Sequence, residues 1–182
     1  MDLLDKVLAL ACDAHSGEKD ASGHPEILHP LRVMSRLQVE DGIDDPVTLA
    51  AAALHDCVED GYTTYSNISA VLYGEDQQEI DDVVYLVELL CHRKMKDHTL
   101  GPQEGEETYT QYLDRLSQDE RAVRIKLADL ADNIRRPHPD KLRGIIQSRY
   151  RPAEAKLRGK LNDFHSTSNS AIPVGTDGGD IA

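Results

Sequence analysis

Residues 46–60 read PVTLAAAALHDCVED. The spacing predicts a strong helix from Asp45 or Pro46, with Gly61 standing where a C-terminal cap belongs. An apolar run that closes on His55, Asp56, Glu59 and Asp60 sets a physical problem, because buried charge is costly unless something pairs it. Successive helical side chains diverge by about 100°, so His55 and Asp56 can both reach one point lying off the helix between them. Glu59 lies four residues from His55, and Asp60 four from Asp56, which puts all four on one side of the last turn. The helix dipole and mutual repulsion disfavour carboxylates at a C-terminus. Either this end is solvated or it holds a positive ion.

On both sides of this stretch the periodicity is helical. Leu3, Leu4, Val7, Leu8, Leu10 and Ala11 mark an amphipathic helix over residues 2–15. A Gly- and Ser-rich loop (15–26) comes next, then a helix from near Pro30 to about Val39, broken by DGIDDP. Beyond Gly61, helices are expected over 65–73 and 77–91, the second on Ile80, Val83, Val84, Val87 and Leu90. Residues 93–105 read as a polar loop with mobile character. ETYTQYLDRL and ERAVRIKLADLADNIRR are two more helices, closed by Pro137. A last helix covers roughly 139–162, kinked or divided at Pro152. No stretch alternates convincingly with period two. The expectation is an all-α single domain, a bundle of seven or eight helices over residues 1–164, with an unstructured tail over 165–182.

Composition agrees. The chain has 182 residues with one Phe, seven Tyr and no Trp, so the core is built from aliphatic residues, which favours helices over a β-sandwich. Lys and Arg total 20 against 33 Asp and Glu, and so acidic a chain repels a phosphate backbone, which argues against a nucleic-acid polymer as partner. The charge is uneven. Residues 121–160 carry a net +8 and the remainder −21, and part of the basic segment could face a small anionic substrate. Cys12, Cys57 and Cys91 form no CxxC pair, which suits a reducing cytoplasm, each as a small core residue. The run VLALA before Cys12 is too short for a signal peptide, and no run approaches membrane-spanning length. Nothing in the sequence specifies an oligomeric state.

Two further positions join the first four. His29 opens a helix in EILHPLRV, and Asp129 sits in VRIKLADLADNIRR among Val123, Ile125, Leu127, Leu130 and Ile134. Asp132, in the same helix, is expected on the wet face. In the order H…HD…D the chain resembles the HD-domain metal-dependent phosphohydrolases, and within them the hydrolase domain of the RelA/SpoT homologues and the small alarmone hydrolases. AHSGEKDASGHPEILHPLRV is similar to the opening motif, AALHDCVEDG to the HD motif and RIKLADLADNIRR to the later K-x-A-D segment. Together they span residues 14–136. The resemblance implies His29, His55, Asp56 and Asp129 as ligands of a divalent metal, usually manganese. Two imidazoles and two carboxylates also suit Fe, Co or Zn. It further implies that Glu59 and Asp60 handle the attacking water and that Asn133 lies near the substrate. Glu59, held near like charges at a helix end, is expected to make the better base near neutrality. Lys19, His92, Arg93, Lys126 and Arg135 are the cations and histidine expected around the mouth.

The opening loop departs from the pattern. Alarmone hydrolases usually carry an Arg-Lys pair before the S-G and an aromatic after the proline; here those positions are Asp20, Ala21 and Glu26. Negative charge beside phosphate weakens binding, and Lys19 substitutes only in part. The favoured expectation is a 3′-pyrophosphohydrolase acting on (p)ppGpp or a related alarmone. The alternatives are an HD phosphatase or nucleotidase acting on a deoxynucleoside triphosphate, NADPH or a 3′-phosphonucleotide, and a catalytically idle HD regulatory module.

Overall fold

A computed structural model of the chain describes residues 2–94, 105–136 and 143–169. Most of the polar loop expected over 93–105, Pro137, and residues 170–182 lie outside them. Among the described residues there are eight helices and no strands, only isolated bridges at Lys19–Pro25 and Lys94–Glu107. The helices are α1 (Leu3–Ala14), α2 (Leu28–Glu40), α3 (Pro46–Leu54), α4 (Tyr65–Val71), α5 (Gln77–Leu90), α6 (Tyr109–Leu116) and α7 (Glu120–Arg135). The eighth, α8, has three consecutive parts: Arg143–Ile145, a π-helical stretch Ile146–Tyr150, and Arg151–Asn169.

Helix α3 is the hub. Every residue from Val47 to Leu54 is buried, and α1, α2, α5 and α7 all pack against it. Four successive alanines, Ala50–Ala53, each wholly buried, let these neighbours approach closely. Asp45 caps the helix by accepting the Val47 and Thr48 amides, and Pro46 takes the first position, where its missing N–H costs nothing. Asp76 caps α5 likewise, and Thr108 with Gln111 forms a capping box on α6. Each such cap is worth about 1 kcal/mol.

Helix α3 is shorter than its spacing predicts: it stops at Leu54 instead of continuing to Gly61. The reason is local. The Ala52 carbonyl, which a continuing helix would offer to the Asp56 amide, accepts a proton from the His55 ring at 2.8 Å. The chain then winds through tight turns in which the Cys57 amide bonds to Leu54 and those of Tyr62 and Thr63 both bond to Cys57. Gly61 supplies the positive φ of 78° that this turn requires.

The last helix differs too. Pro152 has no N–H to give to the carbonyl four residues back. Just before it the winding widens, and the Arg151 amide bonds five residues back to Ile146. Proline therefore changes the pitch without ending the helix, which runs through Asn169, into the stretch expected to be an unstructured tail. Of the three cysteines only Cys57 is fully buried; Cys91 is half-buried and Cys12, expected in the core, is exposed on α1. Among the described residues no helix is long and apolar enough to cross a membrane.

Candidate metal centre

Three pieces of chain converge where α2 begins, α3 ends and α7 passes through its midpoint. Side-chain nitrogen or oxygen atoms of His29, His55 and Asp129, all three buried, lie within 4.8 Å of one another. His55 is the best defined. Its Nδ1 donates to the Ala52 carbonyl, so Nε2 points inward. That atom is buried and makes no hydrogen bond, yet it lies 3.1 Å from Asp56 Oδ2 and 3.8 Å from Asp129 Oδ1. Burial alone would keep the ring neutral. The adjoining Asp56 and Asp129 carboxylates overcome it and hold the His55 pKa well above the usual imidazole value. The pocket thus demands positive charge at one point, from a proton or from a cation.

His29 faces the same point. Its Nε2 is 3.1 Å from Asp129 Oδ1 and 3.5 Å from Asp56 Oδ2. Burial lowers its proton affinity, but the Asp129 and Asp132 carboxylates outweigh that and raise it. Asp129 behaves conversely: burial would raise it, but Lys126, whose Nζ is 2.6 Å away, and the two histidines hold it far below the usual carboxylate range. Asp56, more exposed, is drawn down to about 2, its burial overcome chiefly by His55. Donors about 2.1 Å from one cation sit roughly 3–4 Å apart. The spacings of the two imidazoles from Asp129 and Asp56, 3.1–3.8 Å, match that range. His29, His55 and Asp129 form the group that fits a divalent ion, and Asp56 stands beside both histidines without being within 4.8 Å of all three.

Asp132 was expected in water and is instead nearly inaccessible, at 4% exposure. Its Oδ2 accepts the Nδ1 proton of His29 at 2.7 Å, and Arg32 donates to both of its oxygens at 2.8 and 3.1 Å. Asp132 and Arg32 thereby fix the ring orientation of His29, a supporting role that the sequence reading missed. The signal was present: Asp129 and Asp132 are three residues apart on α7, as are His29 and Arg32 on α2, and such spacing shares a helix face.

Glu59 follows three residues after Asp56 and is held by the segment beyond α5: its Oε2 accepts the His92 backbone N–H at 2.9 Å and its Oε1 pairs with Lys94 Nζ at 2.6 Å. Asp60 is pushed up to about 6 by desolvation and by the neighbouring Asp56 and Glu59 charges. Behind them, burial pushes the Cys57 thiol up to about 12. Its sulfur lies 3.5 Å from Nε2 of the buried His15.

Two cavities are reached through partners of these residues, Asp132 and Asn133 for one and His92 and Lys94 for the other; neither is lined by His29, His55, Asp56 or Asp129 themselves. One, of about 610 Å³, is lined by Arg32, Asn133, Arg135 and Arg136, with Asp20 and Glu26 of the opening loop facing them. Asn133 donates to Asp129 and accepts from Arg136. Asp20 is turned inward upon its own loop, accepting the Ser22 and His24 amides at 2.8 and 2.9 Å. The other cavity, of about 650 Å³, is lined by His92, Lys94, Tyr109, Arg149 and Lys156, with the Arg149 guanidinium 3.8 Å over the Tyr109 ring. Of the residues expected at the mouth, Arg135 and His92 line these cavities, and Lys126 is committed to Asp129. The structure does not bring Arg93 or Lys19 there. Arg93 pairs outward with Glu88 at 2.7 Å, and Lys19 is exposed on the loop.

The family described as HD domain matches residues 7–147. The chain belongs to the HD-domain family. It is 34% identical over 147 residues to the Escherichia coli K12 protein named bifunctional (p)ppGpp synthase/hydrolase SpoT, covering 79% of this chain and 20% of that one. A Vibrio cholerae protein named guanosine-3′,5′-bis(diphosphate) 3′-pyrophosphohydrolase is 34% identical over 150 residues, 81% of this chain and 20% of its own length. The chain thus spans about a fifth of the length of these curated relatives. A solved structure described by the words "A metazoan ortholog of SpoT hydrolyzes ppGpp and plays a role in starvation responses" superposes with a TM-score of 0.60 at 26% identity. It covers 92% of this chain and 96% of its own.

Proposed function

We propose that this chain is a metal-dependent phosphohydrolase that removes the 3′-pyrophosphate of (p)ppGpp or a closely related nucleotide. The observation that carries the reading is the inward, buried and unbonded Nε2 of His55, aimed at the carboxylates of Asp56 and Asp129. The names of the relatives supply the substrate. His29, His55, Asp56 and Asp129 would hold the ion, manganese by the resemblance, with Fe, Co or Zn compatible with the same donors. When bound, such an ion polarises a phosphoryl oxygen and lowers the pKa of water.

The chain's own residues do the rest. Glu59, steered by the His92 amide and Lys94, takes the proton from the attacking water, and Asp60, held near 6, relays it. Lys94 and Arg149 on one side, and Arg32, Arg135 and Arg136 on the other, offset phosphate charge. Asn133 orients substrate at the edge of the arginine-lined cavity. Three free cysteines suit a reducing cytoplasm.

One observation favours a second reading, a nucleotidase for a less highly phosphorylated nucleotide: Asp20 and Glu26 set two acids against the arginines of the first cavity. Incubating the Mn²⁺-loaded protein with alarmones, deoxynucleoside triphosphates, NADPH and 3′-phosphonucleotides separates the two. Pyrophosphate released from alarmones alone supports the first reading; orthophosphate released from simpler nucleotides supports the second. No release from any of them overturns both.

A further inference from the structure

Both groups that hold Glu59, the His92 amide and the Lys94 ammonium, belong to the short segment that leaves α5. That segment is held from outside itself. Helix α5 has no basic residue in its last turn, and its terminal carbonyls need donors. Arg115 of α6 supplies them: Nη1 donates to the carbonyls of Glu88 and Leu89 at 3.0 and 3.1 Å, and Nη2 to that of Cys91 at 2.8 Å. The same guanidinium grips both oxygens of Glu107, at 3.0 and 2.5 Å.

Glu107 completes the clamp. Its Oε1 accepts the Arg93 amide at 3.2 Å, and its own amide donates to the Arg93 carbonyl at 2.8 Å. His92 is therefore bracketed, with the residue before it fixed through Arg115 and the residue after it through Glu107. A planar fork is suited to this, because its donors diverge at fixed angles that a single ammonium cannot reproduce.

We propose that Arg115 is a positioning residue for the Glu59 carboxylate. It touches neither the histidines nor the aspartates of the metal centre; it aims the amide that aims the base. The inference rests on the proposed hydrolase function, in which Glu59 takes the proton from water. Misplacement by about 1 Å can lower a rate by about 100-fold.

The test measures pyrophosphate release from ppGpp by Arg115→Ala, Glu59→Gln and the double variant, with Mn²⁺ binding followed by calorimetry. Arg115→Ala should lose about 10- to 100-fold in kcat, with KM and Mn²⁺ affinity within about threefold. In the Glu59→Gln background the same substitution should change kcat by less than about twofold, since its effect runs through the missing carboxylate. Arg115→Lys should recover only part of the loss. An equal loss in both backgrounds, or a single variant within twofold of the parent, overturns the proposal. If Arg115→Ala does not fold, Glu107→Gln carries the same two-background comparison.

Amide exchange gives a readout that needs no turnover. The His92 amide should exchange at least about tenfold faster in Arg115→Ala, while amides in the middle of α7 stay unchanged. An unchanged His92 amide refutes the clamp. A faster amide in a protein whose parent releases no pyrophosphate refutes the hydrolase reading and leaves the clamp standing.

Discussion

His29 gives its Nδ1 proton to Asp132 across the packed faces of α2 and α7, at 2.7 Å. The bond leaves Nε2 facing Asp56 and Asp129, so a carboxylate outside the proposed donor set decides which nitrogen of the ring faces them. Asp132→Ala should lower Mn²⁺ affinity about 10- to 100-fold while leaving the four donors in place. Calorimetric titration checks it; an unchanged affinity would mean that the ring is held by packing alone.

Asp56→Ala and Glu59→Gln should separate binding from chemistry. Removing Asp56 takes away an oxygen 3.1 Å from the inward nitrogen of His55, and metal content measured by atomic emission should fall with it. Glu59→Gln should retain the metal and lose about 10²- to 10⁴-fold in turnover. Full metal and full rate in both variants would contradict the assigned roles.

Stability of the chelator-treated protein should depend on pH in a direction set by the centre. His29 and His55 are raised, so their contribution is complete below the unfolded value, about 6.5, and fades as pH climbs through the folded values. Asp56 and Asp129 are lowered, so theirs is complete above about 4 and fades as pH falls. Together these groups favour the metal-free fold most between about pH 4 and 6.5. His15 and His92, lowered by burial, act in the opposite sense. His55, raised well above its usual value, and the raised Asp60 outweigh them, so the Tm of chelated protein should decline from pH 6 to 8. Ligation needs neutral imidazoles, so added Mn²⁺ should raise Tm more at pH 8 than at pH 6. Scanning fluorimetry reads both; a chelated protein that gains stability between pH 6 and 8 contradicts the assignment.

Cysteine labelling offers a simple check on packing beside the centre. Cys12 is exposed, whereas Cys57 is buried and its thiol is pushed up to about 12. Iodoacetamide at pH 8 should modify Cys12 and spare Cys57 until the chain unfolds, as read by mass spectrometry of the peptides.

Much of this was legible in the sequence because it rests on short-range patterns. Apolar spacing located the helices, missing by several residues at the ends of α3 and α8, and the order of His29, His55 and Asp129 marked positions that the fold brings within 4.8 Å of one another, with Asp56 beside both histidines. What escaped depends on partners distant in the chain. Asp132 looks like a solvated acid until α2 places His29 and Arg32 against it. The end of α3 was misread because a side chain, that of His55, takes the carbonyl the next turn would need. Arg93 looked like a phosphate contact from its position in the chain alone, yet Glu88 draws it the other way.

The wide winding at Ile146–Tyr150 bears on how this protein can vary. Ile146 and Tyr150 border the hollow with the arginines, while Ser148 and Arg149 border the one with Tyr109. One partition therefore serves both chambers. Losing or gaining a single residue there would rotate the remainder of the helix by about 100° and turn Pro152, Ala153 and Lys156 away from the chamber with Tyr109. The length of this partition therefore sets the shape of the second chamber as much as its side chains do.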